Sequence, residues 1–140
     1  MMDRQIFYVV IASLMLSACA TTPVPTDSAS NVPQSRVINT SFLEKKEGFG
    51  QVIVKRDAGL SASACNTRIF ANASPVAEIA PGEKVVFYLP EGEQIVGAIA
   101  TGICIGGLTE VRAIVSKSHP VVFRISYGSS GEFSIQPTAF

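Results

Sequence analysis

The sequence predicts an all-β fold, a small antiparallel β-sandwich, and three observations carry that expectation. From Gly50 onward, short β-branched and aromatic runs alternate with clusters of Gly, Pro, Asn and Ser. Those clusters recur about every 8 to 12 residues, the spacing of tightly connected strands in a sandwich. Late in the chain the apolar residues follow period two. Val111, Ala113 and Val115 share one face, then Val121, Phe123, Ile125 and Tyr127, then Phe133 and Ile135, with Arg112, Arg124 and Glu132 opposite. With 140 residues the chain has room for one domain, expected over residues 48–140.

The chain opens on an apolar run from Ile6 to Leu16. That run is short of the roughly 20 residues that span a bilayer and it ends in small residues, as a secretory signal does. Residues 1–18 are therefore expected to be a signal peptide, although its charged region holds only Arg4 and the α-amino group against Asp3. The tetrad Leu16-Ser17-Ala18-Cys19 resembles a bacterial lipobox. The resemblance implies cleavage before Cys19, acyl chains on that cysteine, and attachment to the membrane through the lipid. Ala20 follows the cysteine, where an aspartate would favour inner-membrane retention. By the same resemblance the destination is the outer membrane, with the domain in the periplasm. The alternative is an ordinary signal-peptidase site at Ala18 beside an incidental Cys19. Each buried methylene contributes about 0.8 kcal/mol, so several chains make a lasting anchor.

Residues 19–47 are read as the lipidated cysteine, a flexible tether and a lead-in. Between Ala20 and Arg36 there are three prolines, no aromatic residue and only two bulky apolar ones. Such a segment buries too little to offset its ordering entropy. As a free chain it would reach on the order of 20 to 25 Å. Thr40 to Lys46 could form a short helix, with Ser41 and Glu44 spaced as a capping box. The expected strands are 51–55, 67–71, 76–79, 84–89, 94–100, 108–115, 121–127 and 132–136. Turn chemistry separates them at 72–75, 80–83, 90–93, 116–120 and 127–131.

Once Cys19 is acylated, Cys65 and Cys104 remain, an even pair in an oxidising compartment, which reads as a disulfide. Both lie in small-residue loops. The rival reading joins them to His119 in a metal site, but two separated cysteines and one histidine make a poor zinc set, so neither a metal nor a cofactor is expected. His119 stands beside Pro120 as a solvated loop residue. Glu83, Glu91 and Glu93 read as solubilising charge around a hairpin. Gly102, Gly106 and Gly107 precede no helix and no Lys-Ser/Thr pair that would cradle phosphate. Catalysis needs a nucleophile near a base or a tuned carboxylate pair, and neither is legible, so an enzyme is not expected. The 11 basic and 11 acidic residues cancel, which sets nucleic acid aside as a partner.

Three stretches carry a family resemblance: Gly48 to Gly59, Pro81 to Glu93 with its Pro90-Glu91-Gly92 turn, and the run Phe123-Arg124-Ile125-Ser126. Over roughly residues 48–140 the chain resembles small uncharacterised proteobacterial lipoproteins and is broadly similar to PEGA-like β-sandwich domains. The resemblance implies the fold and the pairing of Cys65 with Cys104, and it brings no catalytic residues. The expected role is that of a lipid-anchored envelope protein, structural or partner-binding, with an envelope protein as partner. The alternative is a small apolar or glycan ligand, held by the glycine-rich loop around Cys104 with Phe70, Phe87 and Tyr88.

Overall fold

A computed structural model describes residues 21–104 and 106–140. The lipobox residues Leu16, Ser17, Ala18 and Cys19, and the signal peptide before them, lie outside the described residues. Among those described, the chain forms nine strands: β1 (Ser30–Asn31), β2 (Phe49–Arg56), β3 (Thr67–Ala71), β4 (Ser74–Ile79), β5 (Glu83–Pro90), β6 (Gly92–Ala100), β7 (Thr109–Val115), β8 (Val121–Tyr127) and β9 (Phe133–Pro137). They build two packed sheets, one in the order β1-β5-β2-β8-β9 and the other β4-β3-β6-β7. The architecture is the expected β-sandwich, with each anticipated strand present to within two residues at either end. Most pairs are antiparallel, but β2 runs parallel to β8, and β1 parallel to β5.

Alternation fills the space between the sheets. Val52 and Val54 of β2, Val85, Phe87 and Leu89 of β5, and Phe123, Ile125 and Tyr127 of β8 face inward from the larger sheet. Ile69, Ala71, Val96, Ala98, Ala113 and Val115 face them from the smaller one. Each of these side chains is almost fully buried, which makes hydrophobic burial the main source of stability. At Gly50 the backbone itself meets the β7–β8 connection, because a Cβ there would lie 2.3 Å from the Ser116 carbonyl oxygen. Gly50→Ala must push two main chains apart. It is expected to cost about 1 to 3 kcal/mol, read as a lower urea midpoint.

The segment expected to be a free tether is instead ordered onto the sandwich from Thr21. Thr22 forms a two-way backbone bridge with Ala58, at 2.7 and 3.0 Å. β1 then adds a short strand to the edge of β5, and after a single 3-10 turn at Gln34–Arg36 the Val37 backbone bridges Ala77 of β4. Composition misleads here because the ordering comes from main-chain hydrogen bonds to open sheet edges, and these need no apolar side chain. The proposed helix at Thr40 to Lys46 is likewise only a 3-10 turn, Thr40–Leu43. Its N-cap is Asn39, whose side chain accepts from the Ser41 N–H, in place of the expected Ser41–Glu44 box. Phe42 from this turn packs edge-on against Phe87 and closes the core.

Candidate functional site at one end of the sandwich

The pairing register sends the connections β2–β3, β4–β5, β6–β7 and β8–β9 to one end of the sandwich, where Thr67 Oγ1 and the Tyr127 hydroxyl lie 3.0 Å apart across the sheets. Arg56 ends β2 on the inward face of this end, wholly buried. Its guanidinium donates to the Cys65 carbonyl at 2.5 Å and the Ala62 carbonyl at 2.7 Å, and lies 4.8 Å from the Tyr127 ring centroid. It therefore pins the β2–β3 loop from inside. Burial pulls this arginine below its ordinary pKa, while Tyr127 and Glu83 act the other way. Its Nε is buried with no hydrogen-bond partner.

Cys65 in the same loop is bonded to Cys104 in the β6–β7 loop, with Cα atoms 6.1 Å apart. Between the β6–β7 loop and the β8–β9 turn lies an open cleft of about 560 Å³, walled by Cys104, Gly106, Gly107, Tyr127, Glu132 and Phe133 among others. The glycine-rich loop that one sequence reading gave to a ligand borders this open cleft. The aromatics assigned to it do not. Phe87 is fully buried in the core, and neither Phe70 nor Tyr88 lines the cleft. A ligand there would meet Tyr127 and Phe133, whose rings are inclined at 53° with centroids 5.2 Å apart.

On the outer face of the larger sheet, three charged side chains lie beneath the N-terminal strap. Asp57, buried, accepts two hydrogen bonds from Arg124, at 2.8 and 2.7 Å. That hydrogen bonding raises the Arg124 pKa. Lys55, also buried, donates to the carbonyl oxygens of Val24, at 2.7 Å, and of Phe140. Burial pulls its pKa below the ordinary lysine value, with Asp57 opposing and Arg124 and Lys84 adding to the shift. Thr21 completes the arrangement. Its hydroxyl accepts from the Tyr127 N–H at 3.0 Å and lies within donating reach of both the Tyr127 carbonyl, 3.0 Å, and Asp57 Oδ2, 3.2 Å. Thr21→Val is expected to cost about 1 to 2 kcal/mol and to speed hydrogen exchange over residues 21–29 well before the core opens.

The structure joins Cys65 to Cys104 and separates both from His119, which is exposed in the β7–β8 connection at the opposite end. Of the hairpin carboxylates, Glu91 pairs with Lys117 and Glu93 with Arg112 at the surface. Glu83 departs from the solubilising role: it is partly buried, pairs with Arg36 at 2.5 Å and accepts from the Ala80 N–H. Sequence reasoning missed Lys55, Arg56 and Asp57. A signal for them was present, since three consecutive charges continue the apolar strand Val52-Ile53-Val54 with no turn residue between. Alternation after Val52 and Val54 carries Arg56 to the inward face, where a charge must find partners. The sequence matches no protein-family model, and no curated protein matches it.

Proposed function

We propose that the chain is a lipid-anchored protein of the bacterial outer membrane, acylated on Cys19, that holds its β-sandwich in the periplasm for a non-catalytic, partner-binding role. The reading keeps the likeness to small proteobacterial lipoproteins and the lipobox at Leu16 to Cys19. The observation that carries it is how the first described residue is held: Thr21, two positions after Cys19, is hydrogen-bonded to Tyr127 at the end of the domain. A lipid on Cys19 would therefore attach to a rigid body. The chemistry-bearing groups suit a structural role, because the two described thiols are bonded to each other and the buried carboxylate of Asp57 is saturated by Arg124 and Thr21. Labelled palmitate is expected to attach to the wild type in cells and not to Cys19→Ser. Absence of label on the wild type overturns the anchor. In-cell crosslinking of the anchored chain, read by mass spectrometry against Cys19→Ser, tests the partner. A reproducible envelope protein is expected, and recovery of nothing above background counts against a partner.

A second reading takes its support from the cleft between the glycine-rich loop and Phe133, which has the size and the apolar wall of a small-ligand site. It expects saturable binding of a fluorescent fatty acid by the full chain, lost in Phe133→Asp. Binding that never saturates removes it.

A further inference from the structure

We infer that the loop end of the sandwich docks directly on the phospholipid surface, seating Leu60 and Ile103 among the headgroups; the inference rests on the proposed acylation of Cys19. Three independent features converge. The first is reach. Two peptide links between Cys19 and Thr21 extend at most about 7 Å, and Thr21 and Thr22 are fastened to Tyr127 and Ala58 at this end. A domain so attached has no tether with which to stand away from the bilayer.

The second feature is charge. Residues 21–29, 58–66, 80–82, 101–104, 106–109 and 128–134, which build this end, contain two charged residues, Asp27 and Glu132. The opposite end carries Glu44, Lys45, Lys46, Glu47, Glu91 and Lys117. Burying a charge against lipid is costly, so the sparsely charged end is the one that can lose water. The third feature is apolar exposure. Leu60 is 80% exposed and Ile103 90%, the two most exposed large apolar side chains among the described residues. Leu60 stands two residues from Ala58, the bridge partner of Thr22, and Ile103 is next to the disulfide-bonded Cys104. Both are thus held on fastened loops beside the point where the lipid would enter, as interfacial anchors require.

The chain has no tryptophan, so single Leu60→Trp, Ile103→Trp and Ile114→Trp variants each report one position without background. Ile114 is exposed on β7 opposite Glu93, near the far end, and serves as the reference. The full-length lipoprotein is reconstituted into phosphatidylethanolamine and phosphatidylglycerol vesicles with brominated acyl chains. Leu60→Trp and Ile103→Trp are expected to emit at shorter wavelength and lose most of their emission, with Ile114→Trp unchanged. The mass of the N-terminal peptide reports acylation separately. Equal emission at all three positions on acylated protein overturns docking and leaves the anchor standing. No acyl mass refutes the anchor; quenching at Leu60→Trp and Ile103→Trp would then support docking by itself, and its absence would overturn docking too. Hydrogen exchange of the wild type needs no substitution. Vesicles are expected to slow exchange at residues 58–64 and not at 44–48, and equal slowing at both ends overturns the orientation.

Discussion

Arg56→Ala is expected to lower the unfolding free energy by about 3 to 5 kcal/mol, from the cavity it opens beneath Tyr127 and the loss of donors to two carbonyls. The carbonyls are those of Ala62 and Cys65, so the variant should also free the β2–β3 loop. Arg56→Met separates the two contributions. It keeps much of the side-chain volume and removes a buried charge whose Nε has no partner, and is expected to recover about 1 kcal/mol or more of the loss. Urea unfolding at constant m-value is the measurement. A loss below about 1 kcal/mol for Arg56→Ala would mean that water takes over the carbonyls and that the guanidinium is not the pin proposed for it.

Removing the disulfide with Cys65→Ala and Cys104→Ala together is expected to cost about 4 kcal/mol, the chain-entropy value for a loop closed over 39 residues. The cost should be local in its signature. Hydrogen exchange is expected to rise most in residues 58–66 and 101–104, which open locally, while β2, β5 and β8 lose no more protection than the fall in global stability. Because the Cys65 carbonyl is also a partner of Arg56, the disulfide and Arg56 substitutions should couple. Combined, they are expected to cost less than their sum by about 0.5 kcal/mol or more, since each releases the same loop. Strict additivity would show that the two fasteners hold different parts of it.

The two experiments address a part of the molecule that the sequence displays unevenly. β3 and β8 are legible to the residue, at Thr67–Ala71 and Val121–Tyr127, because period-two alternation and turn residues are local properties of the chain. Cys65 and Cys104 are legible as a pair because they are an even number once Cys19 is set aside, and the compartment that the expected export signal would imply favours oxidation. The strap from Thr21 to Val37 is not, because hydrogen bonds to Tyr127, Ala58 and Lys55 and to the edges of β5 and β4 hold it, and the sequence of the strap does not record where those partners lie. The trio Lys55, Arg56 and Asp57 is legible only in part: alternation carries Arg56 inward after Val52 and Val54, but Lys55 and Asp57 look solvated until the strap is placed over the outer face of β2.

The sequence by itself determined the all-β class, the strands and the turns between them, since each depends on residues a few positions apart. It also determined the lipobox resemblance, which lies in four adjacent residues. Only the tertiary structure decided that the four connections near Tyr127 share one end, that this end bears few charges while the other carries Glu44 to Glu47, and that Thr21 and Thr22 are fastened to it. The physical reason is that strand pairing, including the parallel β2–β8 contact, joins residues far apart in the chain, and a surface is the sum of such meetings. How the domain would face a membrane under the proposed anchor is therefore a matter for the fold.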